Sequence, residues 1–90
     1  MLVPKRTSQF KKDYKKYKFS GRYDISKLDT LLRKLIYEEN VDEKYYDHQL
    51  KGPLSDFREC HIEPDWLLLY KVDYPNIIFT RTGSHSELFE

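Results

Sequence analysis

Three short β-rich runs in the C-terminal half of the chain constrain its fold most strongly. They are residues 56–63 (DFRECHIE), 66–73 (WLLLYKVD) and 76–83 (NIIFTRTG). β-branched and aromatic residues favour strands, and the two interruptions contain Pro64-Asp65 and Tyr74-Pro75, which are typical of turns. The pattern predicts a three-stranded antiparallel meander, and a sheet this small needs another element to cover one of its faces.

Two helices are predicted before these strands. Ser8 is placed to cap the first helix, whose apolar face carries Phe10, Tyr14 and Tyr17 at i, i+4 and i+7. Asp24 is placed to cap the second helix, which has a continuous apolar stripe. The stripe consists of Ile25, Leu28, Leu31, Leu32, Leu35 and Ile36. We therefore expect a helical hairpin that packs on the sheet.

The remaining segments complete the predicted architecture. Residues 2–5 (LVPK) suit an edge strand, because an edge tolerates Pro4. Residues 37–55 lack hydrophobic periodicity and are predicted to form a long loop of the kind that often carries function. We predict a single α+β domain over residues 1–90, with an N-terminal helical hairpin on one face of an antiparallel or mixed sheet of about four strands.

Charge is divided unevenly along the chain. Residues 1–36 hold eleven Lys or Arg against three Asp or Glu, whereas residues 37–90 hold five against twelve, and the net charge is only +1. A basic surface of this strength can bind a phosphate backbone, because each cation that neutralises a phosphate releases a counterion. Lys-rich helices are also common as solvated faces, so charge alone leaves both interpretations open.

The sequence predicts a cytoplasmic protein without membrane association. No apolar run approaches the ~20 residues of a membrane helix, and the N-terminal MLVPKRTSQF lacks the apolar stretch of a signal peptide. The one cysteine, Cys60, cannot form an internal disulfide. Its place in an alternating run favours a buried thiol over a nucleophile.

Most of the residues that could carry chemistry lie in the C-terminal half. They are His48, His61, His85, Asp65, Trp66 and Arg81. His48 is expected to approach the sheet from the long loop, and His85 from the C-terminal tail.

Strand alternation indicates how two of these groups meet. In the first run Glu59 and His61 should share a face, and in the third run Ile77, Phe79 and Arg81 should share a face. One face of the sheet can then collect His61 and Arg81.

Two other chemistries fit the sequence less well. Three histidines with Asp65 would supply about four zinc ligands, but no pair has the close H-x₃₋₅-H or C-x₂-C spacing of zinc sites. Thiol catalysis is disfavoured because Cys60 alternates against His61 and is expected to point into the core. We therefore predict no metal and no cofactor.

Metal-free RNA cleavage is the reaction that requires this set of groups. A base must take the proton of the 2′-OH as it attacks phosphorus, a cation must stabilise the phosphorane oxygens, and an acid must protonate the leaving 5′-oxygen. Imidazole titrates near neutral pH and serves as either acid or base, and a guanidinium offers forked donors to phosphate.

Three segments carry a resemblance to a known family. DHQLKG (47–52), RECHIEPDWLLLY (58–70) and RTGSHSELF (81–89) closely resemble the YafQ branch of the RelE-like type II toxins, and the whole chain matches that family in length and element order. The resemblance implies a ribosome-associated, metal-independent mRNA endonuclease that a cognate antitoxin holds inactive. It also implies that mRNA, the ribosome and the antitoxin are the partners.

The resemblance also assigns roles to residues. His85 resembles the principal proton-transfer group, with His48, His61 and Asp65 sharing base and positioning roles. Arg81 resembles the phosphate clamp and Phe89 the base-stacking aromatic residue. Trp66 is expected either to contact a base or to pack in the core.

A non-catalytic RNA-binding or ribosome-binding module is the second hypothesis. It would depend on basic residues of the first helix, which are expected to contact RNA under either hypothesis. These are Lys11, Lys12, Lys15 and Lys16.

Overall fold

A mixed five-stranded sheet lies at the centre of the computed structural model, which describes residues 1–89. In chain order its elements are β1 (Val3–Arg6), α1 (Ser8–Phe19), α2 (Ile25–Ile36), β2 (His48–Gln49), β3 (Arg58–Glu63), β4 (Trp66–Asp73), β5 (Asn76–Gly83) and α3 (His85–Phe89). Two single 3₁₀ turns, Glu43–Tyr45 and Gly52–Leu54, flank β2. The predicted α+β class is confirmed.

The strands are ordered β1-β5-β4-β3-β2. The predicted meander is confirmed, because β3, β4 and β5 pair antiparallel in sequence order. The predicted edge strand is also present, since β1 pairs with β5 in parallel and closes one side of the sheet. The sheet has five strands and not about four, because β2 forms within the segment that was predicted to be a loop.

One face of β4 forms the core with the helical hairpin. Trp66, Leu68 and Tyr70 alternate onto this face and are 2% exposed or less. The helices contribute Phe10, Tyr17, Leu28, Leu31 and Leu35 to the same cluster. Leu67 and Leu69 lie on the opposite face of β4, where the candidate site is built.

The two helices begin at side-chain caps. Thr7, and not Ser8, caps α1: its Oγ1 accepts a hydrogen bond from the Phe10 amide at 2.9 Å and donates one to the Thr80 carbonyl at 2.7 Å. The prediction of Ser8 was therefore wrong by one residue, because Thr7 is also tied to β5. Asp24 is confirmed as the cap of α2, since Oδ1 accepts from the Ser26 amide at 3.1 Å.

Cys60 is a fully buried free thiol, as its alternating context predicted. Burial raises the pKa of the Cys60 thiol well above its usual range, which argues against nucleophilic use. No helix within residues 1–89 is long and apolar enough to cross a bilayer.

Candidate active site

A buried carboxylate lies between two histidines on the face of the sheet away from the hairpin. β2 pairs with β3 so that His48 is directly opposite Glu59, and His61 lies two residues further along β3. Directly paired residues share a face, as do residues two apart in a strand. Glu59 is 5% exposed, and its Oε1 lies 2.9 Å from His61 Nε2 and 4.0 Å from His48 Nε2.

Hydrogen bonds set the orientation of both rings. His48 Nδ1 lies 2.7 Å from the Tyr46 carbonyl oxygen. Because a carbonyl only accepts, Nδ1 carries a proton and Nε2 of neutral His48 keeps its lone pair. By the same reasoning His61 donates from Nε2 to the Glu59 carboxylate, which leaves Nδ1 of neutral His61 as the acceptor.

Aromatic rings continue this pair into a row that reaches the end of the chain. The ring centroids of His48 and His61 are 6.4 Å apart, those of His61 and His85 are 6.4 Å apart, and those of His85 and Phe89 are 5.4 Å apart. Tyr46 lies against the start of the row, 4.3 Å from His48. The structure therefore brings the three predicted histidines and Phe89 together.

His85 and Phe89 both belong to α3, which is held by its neighbours. Ser84 and Glu87 form a capping box: the Ser84 amide donates to Glu87 Oε1 at 2.9 Å, and the Glu87 amide donates to Ser84 Oγ at 3.2 Å. The Tyr17 hydroxyl donates to Glu87 Oε1 at 2.6 Å, and the Lys16 ammonium pairs with the same carboxylate. The predicted tail is thus a short helix tied to α1.

Glu87 makes the docking of α3 dependent on pH. Hydrogen bonds from Lys16, Tyr17 and the Ser84 amide lower the pKa of Glu87 to about 2. A lowered folded-state pKa means that the unfolded chain binds more protons, so this stabilisation is complete above the ordinary pKa of 4.5 and is lost as pH falls toward about 2. We expect Glu87→Gln to be less stable than the parent at pH 7, with a difference that shrinks below pH 4.5. Urea denaturation across pH checks this, and a difference that stays constant with pH would contradict it.

Asp65 contacts the backbone of α3 and not the imidazoles. Its Oδ1 accepts a hydrogen bond from the His85 amide at 3.0 Å. Asp65 lies in the turn between β3 and β4, so this bond ties that turn to the start of α3. Through this hydrogen bond Asp65 positions His85.

Arg81 is held by a buried partner. Its Nε donates to Asp13 Oδ2 at 2.8 Å and Nη2 to Asp13 Oδ1 at 3.3 Å, while Nη1 reaches the Glu87 carbonyl at 3.5 Å. Asp13 is 6% exposed and also accepts from the Thr82 amide. The hydrogen bond with Asp13 raises the pKa of the Arg81 guanidinium. Of its five N–H groups, two have no partner within residues 1–89 and are available to a phosphate.

A bulge in β5, which the sequence did not reveal, determines the face of the sheet on which Arg81 lies. Phe79 pairs with Tyr70 and Arg81 pairs with Leu69, so Thr80 is an extra residue in β5. The prediction that Phe79 and Arg81 share a face was therefore wrong. Because Glu59 also pairs with Leu69, Glu59 and Arg81 lie in one row across three strands.

Trp66 is a core residue. It is 0% exposed, its ring stacks on Tyr17 at 5.4 Å, and its Nε1 donates to Thr82 Oγ1 at 3.0 Å. A base cannot reach this ring in the folded chain, so the expectation of base contact is corrected in favour of packing. Phe89, at 36% exposure, has an accessible face.

The predicted basic surface divides into two parts. All four lysines of α1 that were singled out are exposed. Lys16 pairs with Glu87 and so holds α3 in place. Within residues 1–89, Lys11, Lys12 and Lys15 make no ion pair, which leaves three free cations on one helix.

A family model described as "Bacterial toxin of type II toxin-antitoxin system, YafQ" matches residues 2–90. The chain belongs to the YafQ toxin family.

Relatives of this YafQ-family chain include proteins of known structure. The mRNA interferase toxin YafQ of Escherichia coli K12 is 37% identical over 84 residues, covering 92% of this chain and 90% of that protein. YafQ in the E. coli DinJ-YafQ complex is 34% identical, covers 100% of both chains and superposes with a TM-score of 0.90. A copper-bound mutant toxin from Helicobacter pylori is 42% identical with a TM-score of 0.90, covering 99% of this chain and 100% of that chain.

The residues that the sequence did not single out are the acidic ones that hold the YafQ-family site together. Glu59 contacts the histidines, Asp13 holds Arg81, and Glu87 holds α3. Within residues 1–89, no group of three or more His, Cys, Asp or Glu side chains is arranged to hold a metal ion.

Proposed function

We propose that this chain is an mRNA interferase: an endoribonuclease toxin that cuts translated mRNA in the cytoplasm and is held inactive by a cognate antitoxin. The observation that carries the proposal is the row of three imidazoles that ends at Phe89, with a guanidinium on the same side of the sheet. The names of the matches support it, since E. coli YafQ is named an mRNA interferase and a structure of an E. coli DinJ-YafQ complex is known.

The spacing of the rings suits proton transfer on both sides of a phosphate. In an in-line displacement the attacking and leaving oxygens lie on opposite sides of phosphorus, and each must come within about 3 Å of its catalytic group. The ring centroids of His61 and His85 are 6.4 Å apart, so a phosphodiester that lies across the two rings can bring one of these oxygens to each imidazole. His61 and His85 can therefore each act on one of the two in-line oxygens of the same phosphodiester.

His61 is the imidazole best placed to act as base. Its Nδ1 accepts the 2′-OH proton while Nε2 stays hydrogen-bonded to Glu59, whose charge stabilises the imidazolium that forms. His48, 4.0 Å from the same carboxylate, shares this charge and keeps Nε2 available as a second acceptor. The O2′–P bond forms as the P–O5′ bond breaks, and the products carry a 2′,3′-cyclic phosphate and a 5′-hydroxyl.

His85 supplies the proton to the departing O5′. Its ring is exposed, and the amide of the same residue is fixed by Asp65. We therefore assign Asp65 a positioning role. The free N–H groups of Arg81 bind the non-bridging oxygens, where negative charge grows in the transition state.

Two surfaces bind the rest of the RNA. Phe89 offers an accessible ring for stacking a base, worth roughly 1–3 kcal/mol per base. Lys11, Lys12 and Lys15 offer cations to phosphates of mRNA or of the ribosome. We propose that the ribosome is the setting in which mRNA meets the site.

The proposed chemistry uses no metal, because imidazoles carry the protons and Arg81 carries the charge. The purified protein, freed of antitoxin, should cut mRNA equally well in EDTA and in Mg²⁺, with ribosomes raising the rate. Because one relative is known with copper bound, the same cleavage assay should also be run with added copper.

Two outcomes would contradict the proposal. Cleavage that EDTA abolishes and a divalent ion restores would indicate a metal-dependent nuclease. Binding to RNA or ribosomes with no new RNA ends, with or without ribosomes, would indicate the non-catalytic module.

A further inference from the structure

A cleft of about 370 Å³ borders His61 and is not part of the row of rings. It lies between the first turn of α2, the 3₁₀ turn Glu43–Tyr45 and the end of β3. The cleft exists because β2 is two residues long and pairs only with Arg58 and Glu59. In the described part of the chain, residues 1–89, no strand therefore lies beside this edge of β3 beyond Glu59.

The lining of the cleft is basic on one side and apolar on the other. Lys27 and Lys44 both line it, and among residues 1–89 Glu63 is the one carboxylate in the lining. The Lys27 Nζ is 3.8 Å from Glu63 Oε2, with side chains 53% and 39% exposed, so this pair is loose and solvated. Two ammonium groups against one carboxylate favour an anionic ligand.

The apolar side is fixed in place. Ile62 and Tyr45 are partly buried and pack against the hydrophobic core, and Pro64 completes the wall. The Lys44 Nζ lies over the Tyr45 ring, 5.3 Å from its centroid. A rigid apolar wall beside solvated cations fits a ligand with one flat apolar part and one phosphate. The volume lies within the ~300–1,000 Å³ of sites that enclose small ligands.

We propose that this cleft binds the nucleotide next to the scissile phosphate. The inference rests on the proposed RNA cleavage at His61 and His85. An RNA strand with its scissile phosphate at His61 must continue past that residue, and the cleft begins at His61. Lys27 and Lys44 bind the adjoining phosphate, and the base lies against Ile62 and Pro64.

Glu63 gives the cleft a preference among bases. A carboxylate accepts a hydrogen bond from an exocyclic amino group, as Glu and Asp do with cytosine N4. Adenine, cytosine and guanine carry such a group, and uracil does not. The cleft therefore disfavours uracil at one position beside the cut.

The test is steady-state cleavage of short RNAs that contain one cleavage site, with each base in turn at the two positions flanking the cut. The double variant Lys27→Ala/Lys44→Ala should raise KM about tenfold while kcat changes less than about twofold, because it removes phosphate contacts outside the reacting atoms. Lys5→Ala/Lys51→Ala removes the same charge from exposed positions outside the cleft and is the matched control. Glu63→Gln should reduce the difference in cleavage efficiency between RNAs that carry uracil and RNAs that carry another base at one flanking position.

If Lys27→Ala/Lys44→Ala has the same KM and the same base preference as the control, the proposal that the cleft is an RNA subsite is overturned. The proposed function would still stand. Weakened antitoxin binding with unchanged RNA kinetics would show that the cleft is a protein contact. Failure of the parent protein to cut any RNA would overturn both proposals.

Discussion

Replacing His85 with alanine is expected to reduce RNA cleavage by about 10²–10⁴-fold, the contribution of a positioned general acid. The His85 ring lies at the exposed end of the imidazole row, and the backbone amide is what binds Asp65. Alanine keeps that amide, so α3 stays docked and the loss falls on proton transfer. Single-turnover cleavage measures it, because this separates chemistry from product release.

A matched control lies beside it on the same helix. Ser86 is exposed and its side chain makes no hydrogen bond within residues 1–89, so Ser86→Ala should cut RNA at the parent rate. Circular dichroism should show all three proteins equally folded. A folded His85→Ala protein that cleaves at the parent rate would contradict the role given to His85.

Replacing Asp13 with asparagine is expected to destabilise the fold by about 2–3 kcal/mol, since a nearly buried carboxylate accepts charged and backbone hydrogen bonds there. Asp13 binds Arg81 through both of its oxygens and also binds the Thr82 amide. Asparagine keeps the shape but removes the charge and one acceptor. Urea denaturation at pH 7 measures the loss. Cleavage, measured where the variant is still folded, should also fall, because Arg81 loses its fixed orientation.

Asp29→Asn is the control for Asp13→Asn. Asp29 lies on α2, and its side chain accepts one hydrogen bond within residues 1–89, from the Tyr14 hydroxyl at 2.6 Å. We expect Asp29→Asn to lower the free energy of unfolding by about 1 kcal/mol or less and to leave cleavage unchanged. Equal losses in the two variants, or a fully stable Asp13→Asn, would contradict the structural role of the Asp13–Arg81 pair.

The same pair determines how Arg81 must be tested. Arg81→Ala would leave the Asp13 carboxylate nearly buried without its cation, so lost activity would combine misfolding with lost chemistry. Arg81→Lys keeps a cation near Asp13 but has no fork for phosphate. We therefore expect Arg81→Lys to retain most of the stability and little of the cleavage.

The parts of the fold that sequence predicted are those with strong local signals. The stripe of α2 and the three β-rich runs are each fixed by a repeating pattern, and the structure has them within a few residues. β2 has no such signal. It is two residues long and exists only because His48 and Gln49 pair with β3. A contact of this kind depends on the tertiary fold and not on local propensity.

The candidate site was also predictable where strand alternation or helix periodicity places a side chain. Alternation along β3 placed Glu59 on the face of His61, so its carboxylate could have been identified from the sequence. Asp13 also left a signal, because it lies three residues after Phe10 and four before Tyr17, on the apolar side of α1. The bulge at Thr80 left none, since it arises where two strands adjust their register.

In the proposed reaction, imidazoles drive attack of the RNA's own 2′-OH on the adjacent phosphorus. The most direct test is cleavage, in EDTA, of an RNA whose single cut site carries either ribose or 2′-deoxyribose on the 5′ side of the scissile phosphate. The ribose substrate should give a 2′,3′-cyclic phosphate and a 5′-hydroxyl, and the deoxy substrate should not be cut. Cleavage of the deoxy substrate at a similar rate, leaving a 5′-phosphate, would contradict the proposed reaction.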